Sequence, residues 1–401
     1  MVDKKRIMFV GAGSHQLKGI ERAKTMGLNV IATDGNANAP GLKLADAPYV
    51  VDVKNEKANL QIARDQKIDG VVTIASEVSV RTVAVIADTL GLPGISPAVA
   101  GRSTDKGLMR QAFHDNNVPS PRSFSIFKLA ELVAAIREIG YPFVIKPADN
   151  AGSRGVKMVV NPAEVDESYR QALLNSTSGK VLVEEFLDGV EVSVEAFIYN
   201  GEIKIITLSD KIRTGPPYLL DTAVLFPSIR SAAEQRAIID VAISAIKAIG
   251  INIGPVHMEL MMTSKGPVPV ELAARGPGFK VFTDIMPMIT GIDLVGAQIL
   301  ASLGEAPQLT RTQNLAAVIK FFEAVDGNVR KITGLKEAQK IPGIYELELY
   351  VREGERTRTL TCGADRIGHV IAIAPTREEA EKIAADAEKT VKLELELEGG
   401  K

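Results

Sequence analysis

The 401 residues are 46% hydrophobic and 24% charged, a composition that suits a globular protein of about two to four domains. The 47 basic and 49 acidic side chains leave a formal net charge of −2, which excludes the basic excess needed for sequence-independent binding of nucleic acid. A single cysteine, Cys362, excludes an internal disulfide, and no signal peptide or apolar run of membrane-spanning length is recognisable. We therefore expect a cytoplasmic protein.

The first hundred residues alternate short buried strands with helices. Residues 6–10 (RIMFV) form the first predicted strand, and a helix that follows GAGSHQ extends to about Met26. Further strands are predicted at 28–33, 49–53 and 70–75. Strands that alternate with helices are joined by right-handed crossovers into a parallel sheet. The sequence therefore predicts a doubly wound α/β domain over residues 1–98.

The middle of the chain is predicted to begin with one helix over residues 103–117, capped by a serine or threonine. Asn200-Gly201 is a strong two-residue turn signal between two strands. Residues 210–221 (DKIRTGPPYLLD) are predicted to form a loop, and a second hairpin turns at Ser264-Lys265-Gly266. We place the end of this second domain at residue 309.

The tail, residues 310–401, is predicted to be an α+β domain. Strands are expected near 316–322, 345–351 and 368–373. An amphipathic helix follows them, and Thr376 with Glu379 has the spacing of a capping box at its first turn.

The loop GAGSHQ after the first strand imitates part of a dinucleotide-binding fingerprint, with Asp34 about twenty residues further on. Gln16 occupies the position of the third glycine, which such sites need for close packing of helix against strand. A tight strand-to-helix turn without a nucleotide is at least as good an interpretation. An oxidoreductase is disfavoured further because no acid–base residue for that chemistry stands out downstream.

Lys106 and Lys146, with a glycine-bearing loop, predict a phosphate site. Lys146 lies inside the apolar strand YPFVIKP, where a lysine either extends to the surface or meets an anion. The loop AGSRG (151–155) follows, and its backbone amides could wrap a phosphate. The loop alone would also fit an ordinary hairpin turn, but the loop together with Lys146 indicates phosphate binding.

The segment VLVEEFLDGVE ends an apolar strand in acidic residues. Backbone groups beside Phe186 and Leu187 could read the edge of an adenine ring, and Glu191 could accept from both hydroxyls of a ribose. In isolation, an exposed acidic turn is the better interpretation of this segment. Downstream, the loop 210–221 carries Lys211, Arg213 and Asp221 and is a candidate substrate loop, with a plain surface loop as an equal alternative.

The second hairpin predicts a metal site. If its turn centres on Lys265 and pairs Thr263 with Pro267, Glu259 lies directly opposite Glu271, with Cβ atoms about 4.5–5.5 Å apart. Two carboxylates at that distance repel by roughly 3 kcal/mol at an effective dielectric constant near 20, and in Met- and Val-rich strands this suggests a compensating cation. Hard oxygen ligands suit Mg²⁺, which also binds substrate phosphates. Arg275 follows Glu271 by four residues and could meet an anion beside the metal.

Taken in order, these motifs resemble those of the ATP-grasp superfamily, in particular carboxylate–amine ligases of the L-amino-acid-ligase type. The resemblance covers nearly the whole chain, through DK, VIKP with GSRGV, EEFLDGVE, HMEL with VELAARGPG, and the tail segment GADRIGHVIAIAPTREEA. It implies an α/β (α+β) fold, the ATP-grasp fold, with a nucleotide- and metal-binding domain over residues 99–309 between the two flanking domains. It also implies an ADP-forming ligase that makes C–N bonds through an acyl phosphate.

The resemblance further implies the cofactors ATP and Mg²⁺, with Mn²⁺ as a substitute, and small-molecule carboxylate and amine substrates. It implies no nucleic-acid or membrane partner and leaves a homodimer open. The catalytic candidates are Lys146 and Arg275. The candidate phosphate, loop, adenine and ribose ligands are Lys106, Lys146, Gly152, Ser153, Arg154, Gly155, Glu184, Glu185, Phe186, Leu187 and Glu191. The candidate metal ligands are Glu259 and Glu271, and the substrate candidates are His257, Lys211, Arg213, Gly276 and Gly278.

One position departs from the family pattern. Many members carry Asn two residues after the second metal glutamate, where this chain has Ala273, opposite His257 in the predicted register. We expect water to fill that coordination position while His257 hydrogen-bonds the water, a phosphate or the substrate carboxylate. A histidine bonded to backbone is the competing interpretation.

Two alternative functions follow from Ala273. The aminoimidazole-ribonucleotide carboxylating branch also has alanine there, but this chain reads ELAARGPGF instead of ELAPRPHNSGH, so that branch ranks second. The second alternative is a nucleotide-binding module that has lost its metal site.

Overall fold

The computed structural model describes residues 4–150, 152–323 and 325–396. The strands in these ranges are numbered in chain order. They are β1 (Arg6–Val10), β2 (Asn29–Asp34), β3 (Ala47–Val50), β4 (Gly70–Val72), β5 (Ser123–Ile126), β6 (Phe143–Pro147), β7 (Lys157–Val159), β8 (Val181–Glu185), β9 (Val190–Tyr199), β10 (Glu202–Arg213), β11 (Asp221–Phe226), β12 (Gly254–Thr263), β13 (Gly266–Ala273), β14 (Ala316–Phe322), β15 (Gly327–Thr333), β16 (Ile344–Leu349), β17 (Arg356–Thr357), β18 (Gly368–Ala374) and β19 (Lys392–Glu396).

The α-helices of the same ranges lie between these strands. They are α1 (Ser14–Thr25), α2 (Glu56–Gln66), α3 (Val80–Leu90), α4 (Pro97–Thr104), α5 (Lys106–Asp115), α6 (Leu129–Ile139), α7 (Val165–Leu174), α8 (Ala232–Ile249), α9 (Met286–Thr290), α10 (Leu294–Ser302), α11 (Leu335–Ala338) and α12 (Arg377–Thr390). The capping box predicted from Thr376 and Glu379 begins α12 as expected.

The N-terminal residues form a four-stranded parallel sheet in the order β3-β2-β1-β4, which confirms the predicted parallel sheet. Alternate residues of β1 enter two different cores. Ile7 and Phe9 pack into one buried cluster, and Met8 and Val10 into another. Both faces of the strand are therefore covered, which explains why RIMFV is a continuous apolar run.

The loop after β1 is closed by its own side chains. Gln16 Nε2 donates to the carbonyl of Ile74 at 2.6 Å, and Asp34 accepts from the amide of Ala12 at 2.8 Å. Helix α1 packs tightly at Gly19, where a Cβ would lie 2.6 Å from Ile74 and 2.9 Å from Phe9 of β1. The close contact between helix and strand is therefore made at Gly19, about one helical turn after Gln16, which occupies the position of the third glycine in the dinucleotide-binding fingerprint. These contacts favour a structural strand-to-helix turn.

The central sheet is eight-stranded and antiparallel, in the order β13-β12-β9-β10-β11-β14-β18-β16. It takes strands from both sides of residue 309, because β11 pairs with β14 through Ala223 and Lys320. Two smaller sheets, β5-β8-β6-β7 and β17-β15-β19, lie apart from it. The predicted boundary at residue 309 therefore does not separate two sheets, and the division into domains stays a prediction.

The single helix predicted over residues 103–117 is wrong. Helices α4 and α5 meet at Asp105, whose carboxylate accepts from the amides of Gly107 at 2.8 Å and Leu108 at 3.0 Å. This side chain caps α5 and interrupts the helix, because an N-cap residue has a non-helical backbone. The serine cap belongs to α4, where Ser96 accepts from the amide of Val99.

Helical segments near residue 290 contribute to the largest buried cluster. Ile285, Ile289 and Ile299 are at most 1% exposed within it. Among the described residues, no single helix is long and apolar enough to cross a membrane. Val281–Thr290 and Leu294–Ser302 meet that length and composition only as a pair, bent by 115° at their junction.

Candidate active site

A cleft opens between the sheet β5-β8-β6-β7 and the central sheet. Its walls come from β6, β8, β10, β12, β13 and the first turns of α5. It brings together most of the predicted site residues, namely Lys106, Lys146, Gly152, Ser153, Glu184, Glu185, Phe186, Leu187, Glu191, Lys211, Arg213, Glu259 and Glu271. Outside its lining lie Arg154, Gly155, His257, Arg275, Gly276 and Gly278.

Lys146 is held inside the cleft and does not extend to the surface. Its side chain is 7% exposed, and its ammonium lies 2.5 Å from Glu184 Oε2. Arg110 Nε donates to the other oxygen of Glu184 at 2.7 Å. Burial raises the pKa of the Glu184 carboxyl, but Arg110 and Lys146 outweigh it and lower the pKa to about 2. Glu184 is therefore an anion that positions Lys146.

Arg110 was missed in the sequence, although a signal was present. It follows Lys106 by four residues, so both side chains lie on one face of α5. Lys106 Nζ donates to the carbonyl of Asn150 at 2.9 Å and lies 3.0 Å from Glu271 Oε1. The two cations thus enter the cleft from one helix, whereas Lys146 enters from β6.

The glycine-bearing loop, whose first residue, 151, lies outside the described residues, contributes Gly152 and Ser153 to the same cleft lining as the two lysines. Gly152 and Gly155 have φ angles of 74° and 73°, and Ser153 has φ 57°. A Cβ on Gly155 would lie 2.9 Å from Asn175, so only glycine fits there, whereas Gly152 faces open space. The backbone at three positions is left-handed, the conformation in which successive amides can form an anion-binding concavity.

The wall predicted to read adenine follows β8. This strand ends at Glu185, so Phe186 and Leu187 lie beyond its paired part. Arg122 Nε donates to the Glu185 carboxylate at 3.3 Å. The adenine assignment of these residues stays a prediction.

The prediction of a loop over residues 210–221 is wrong at both ends. Strand β10 continues through Lys211 to Arg213, and Asp221 begins β11, because the two strands pair across the segment. Lys211 Nζ lies 2.8 Å from Glu191 Oε1 and 3.0 Å from Asp221 Oδ2. Burial lowers the pKa of the Lys211 ammonium, but the surrounding carboxylates outweigh it and raise the pKa well above its usual value.

Glu259 and Glu271 face each other across β12 and β13, which confirms the predicted register at this pair. The predicted turn is wrong by one residue, because Thr263 pairs with Gly266. A bulge that leaves Val270 unpaired restores the register before Glu271. Both carboxylates line the cleft and are about a quarter exposed, at 25% and 26%. Two opposed carboxylates at the wall of a cleft are the oxygen donors that Mg²⁺ takes, so these residues fit the metal.

His257 lies opposite Ala273, as predicted, and its ring sits between two carboxylates. Nδ1 lies 2.7 Å from Glu195 Oε1, and Nε2 lies 3.4 Å from Glu259 Oε1. Burial lowers the pKa of this imidazole, but Glu195 and Glu259 raise it to about 9. Glu195 was missed in the sequence, although the alternation in VEVSVEAF puts it on the same strand face as Glu191.

Arg275 is outside the cleft lining and connects two parts of the chain. Its Nε donates at 2.7 Å to Oε2 of Glu77, the first residue of a short 3-10 helix after β4, and its Nη1 donates to the carbonyl of Gly276 at 3.0 Å. A Cβ on Gly276 would lie 2.3 Å from the ring of Phe282, whereas Gly278 faces open space. Glu77 had no local signal in the sequence, because almost two hundred residues separate it from Arg275.

Two protein-family descriptions match the chain. "ATP-grasp domain" matches residues 139–284, which include the cleft from Lys146 to Glu271, and "L-amino acid ligase C-terminal domain 2" matches residues 320–396. The uncharacterized protein y4rH of Sinorhizobium fredii is 31% identical over 326 residues, which is 80% of this chain and 67% of that protein. The alanine–anticapsin ligase of Bacillus subtilis is 27% identical over 57% of this chain and 52% of its own length, so the chain spans only about half of that relative.

A solved structure agrees with these matches at the level of the fold. The crystal structure of an L-amino acid ligase from Bacillus licheniformis superposes with a TM-score of 0.84 and 21% sequence identity, covering 99% of this chain and 100% of that one. This likeness confirms the predicted α/β architecture. By sequence and by fold, the chain belongs to the ATP-grasp superfamily.

Proposed function

We propose that the protein is an ATP-dependent carboxylate–amine ligase, which activates a carboxylate as an acyl phosphate and joins it to an amine with release of ADP and phosphate. The observation that carries the proposal is the cleft in which Lys106 and Lys146 lie with the opposed carboxylates Glu259 and Glu271. Phosphoryl transfer needs cations that bind the phosphates and oxygen ligands that bind a metal ion, and this cavity contains both kinds of side chain. The family match to an L-amino acid ligase domain supports the carboxylate–amine class.

ATP is proposed to lie with its phosphates against Lys106 and Lys146 and beneath the glycine-bearing loop. Its base would contact the wall at residues 185–187, and its ribose would bind Glu191. The role that we propose for Glu184 differs from the adenine contact predicted from the sequence, because its carboxylate is bonded to Lys146 and Arg110. We therefore propose that Glu184 positions the phosphate-binding lysine and does not contact adenine.

Mg²⁺ is proposed to bind Glu259 and Glu271, where it would neutralise charge on the transferred phosphate. A carboxylate is a poor electrophile until one of its oxygens is phosphorylated. The carboxylate oxygen would attack the γ-phosphorus, the bond to ADP would break, and the amine would then displace phosphate from the acyl carbon. Lys146 would hold the γ-phosphate in line for that attack.

Arg275 is proposed to hold the anionic end of the acyl phosphate or its parent carboxylate. Its guanidinium is already oriented by Glu77 and by the carbonyl of Gly276. A guanidinium held in this way keeps further donors for a second anion, since it has five N–H groups. Gly278, which faces open space, would leave room for the substrate beside it.

The reaction can be tested without knowing the pathway. A screen of amino-acid pairs should find a pair that stimulates release of ADP and phosphate, and Lys146→Ala should reduce that stimulated release by about 100- to 1,000-fold. With ¹⁸O in the substrate carboxylate, label should appear in the released phosphate. Label in AMP would overturn the acyl phosphate.

The same assay separates the alternatives. Stimulation by aminoimidazole ribonucleotide with bicarbonate would favour the carboxylating branch. Nucleotide binding without turnover on any substrate would favour a lapsed module. We place the ligase in the cytoplasm, where ATP is abundant and the lone Cys362 would stay reduced. The homodimer stays a prediction, which sedimentation can test.

A further inference from the structure

One loop of the C-terminal tail reaches both walls of the candidate nucleotide cleft. Residues 361–366 (TCGADR), here called the tail loop, lie between β17 and β18. A Cβ built on Gly363 would lie 4.0 Å from the carbonyl oxygen of Gly152 in the glycine-bearing loop. Arg366 Nη2 donates to the carbonyl of Asp221, the first residue of β11, at 2.7 Å. Gly152 and Asp221 both line the cleft, so the tail loop lies beside each of them.

The tail loop is held in shape by its own hydrogen bonds. Asp365 Oδ2 accepts from the amides of Thr361 and Cys362, each at 2.9 Å, and from the hydroxyl of Thr361 at 2.7 Å. These bonds fix the start of the short 3-10 helix Gly363–Asp365. A loop that is already ordered loses little conformational entropy when it packs against a neighbour, so it can hold that neighbour in place.

Arg366 is oriented by an aromatic ring. Its Cζ lies 3.6 Å from the centroid of the Phe321 ring, on β14. Stacking on a ring leaves the edge of the planar guanidinium free to donate, and one of these donors bonds the Asp221 carbonyl. The Asp221 side chain lies 3.0 Å from Lys211 in the cleft. Arg366 therefore fixes the end of β11 that presents Asp221 to the cleft.

Gly363 is the point at which the tail loop passes the glycine-bearing loop. Its φ angle is not positive, so other residues can adopt its backbone conformation. What the glycine provides is room, because a Cβ would already be in van der Waals contact with the Gly152 carbonyl and with Arg366 Nη1, at 4.0 and 3.8 Å. Alanine would fit there, whereas a branched side chain would extend into the space between the two loops.

We propose that the tail loop is the surface against which the glycine-bearing loop rests, so that the C-terminal tail positions the phosphate-binding backbone of the nucleotide site. The inference rests on the proposed function for the identity of the ligand. Gly363 and Arg366 act as positioning residues, the first for Gly152 and the second for Asp221, and neither contacts the nucleotide. Backbone amides bind a phosphate only where they converge on it, so displacement of Gly152 lowers the affinity.

The first test measures the affinity of the full-length protein for a non-hydrolysable ATP analogue with Mg²⁺, by calorimetry. Gly363→Ile should weaken binding by at least about tenfold, because its branched side chain displaces the Gly152 carbonyl. Gly363→Ala is the matched control and should bind as the wild type does. Arg366→Met should also weaken binding, whereas Arg352→Met, which removes an exposed arginine from the same tail, should not. Residues that only stabilised the fold would change the melting temperature and leave the affinity of the folded protein unchanged.

The second test needs no nucleotide. Cys362 is the only cysteine in the sequence, so one added cysteine gives one defined pair. In Ser153→Cys, which alters the residue after Gly152, a short bis-maleimide should link the two cysteines. In Ser125→Cys no link should form, because this exposed residue lies on β5, at the edge of the sheet β5-β8-β6-β7 away from β7.

The outcomes separate this inference from the proposed function. Wild-type affinity in folded Gly363→Ile and Arg366→Met, or no link in Ser153→Cys, would overturn the inference. If Gly363→Ile does not fold, Arg366→Met and the link decide the matter. Absence of nucleotide binding by the wild type would count against the proposed function, while the cross-link would still decide whether the tail loop lies against the glycine-bearing loop.

Discussion

A lysine, carboxylates and a histidine meet in the cleft, and a similar group (the tail group) forms where Lys280 contacts Glu346 and His369 of the C-terminal tail, but the two groups are built differently. In the cleft, Lys211 is 5% exposed and bonds three carboxylates from three strands. In the tail group, Lys280 is 40% exposed and bonds both oxygens of Glu346 on β16. His369 is buried beside that pair, with Nε2 at 3.0 Å from Glu346 and Nδ1 at 2.7 Å from the hydroxyl of Tyr350.

The difference shows how burial and the neighbouring cavity decide what a charged group does. The tail group is saturated by its own partners, and it connects the segment after Gly278 to β16 and β18. An exposed ion pair of this kind contributes about 0–1 kcal/mol to stability. The cleft group lines the cavity that also contains Lys106 and Lys146, and we propose that its charges bind ligands in addition to stabilising the fold. We therefore expect substitutions in the cleft group to affect ligands and substitutions in the tail group to affect stability.

The largest effect is expected at Lys146. If Lys146 binds the phosphates as proposed, Lys146→Ala should reduce turnover by about 100- to 1,000-fold and weaken ATP binding, because a positive charge beside the transferred phosphate is lost. Calorimetric titration with ATP measures the affinity, and circular dichroism checks the fold. Lys280→Ala, in the tail group, is the matched control and should bind ATP as the wild type does. Wild-type affinity in folded Lys146→Ala would contradict the phosphate assignment.

The second prediction concerns the pH dependence of stability. The pKa of Glu184 is lowered from 4.5 to about 2, so its contribution is fully present above pH 4.5 and is lost as pH falls toward 2. The free energy of unfolding of the wild type relative to Glu184→Gln should therefore fall by roughly 3 kcal/mol over that window. Urea unfolding at several pH values measures this difference. A difference that stays constant down to pH 3 would mean that Arg110 and Lys146 do not hold the carboxylate as an anion.

The third prediction concerns the metal. Glu271→Gln keeps the shape of the side chain but removes its charge, and Mn²⁺ affinity in the presence of nucleotide should fall by at least about tenfold. Glu348→Gln, in the tail, should leave that affinity unchanged. Equal losses in both variants would show that the Mn²⁺ measured is bound by surface carboxylates in general.

The smallest effect is expected at His257, where the comparison with His369 is closest. His257→Ala should lower turnover several-fold or raise the magnesium requirement with little loss of stability, because its ring lies against Glu259, a proposed metal ligand. His369→Ala should lower the melting temperature and leave the magnesium dependence unchanged, since His369 is 1% exposed and bonded within the tail. A melting temperature that falls for His257→Ala, with unchanged magnesium dependence, would make His257 structural.

Part of the site could be predicted because its signals are local. Residues of paired strands on either side of a short turn must face each other, so Glu259 and Glu271 were found from the hairpin alone, even though the turn was wrong by one residue and a bulge corrected it. Lys146 was recognisable because an ammonium in an apolar strand needs an anion. The break between α4 and α5 was missed because it depends on hydrogen bonds that only the structure shows. The amides of Gly107 and Leu108 donate to the Asp105 carboxylate, which ends one helix and begins the next.

The sequence by itself determined the alternating strands, the family and the order of the motifs, since periodicity and spacing are properties of neighbouring residues. Only the tertiary structure decided that Glu77 reaches Arg275, that Arg110 shares Glu184 with Lys146, and that the central sheet crosses residue 309. It also decided that Lys211 meets three carboxylates, because the order of strands in a sheet is set by long-range pairing and burial. Charges brought together from distant parts of a chain interact strongly only once water has been removed from between them.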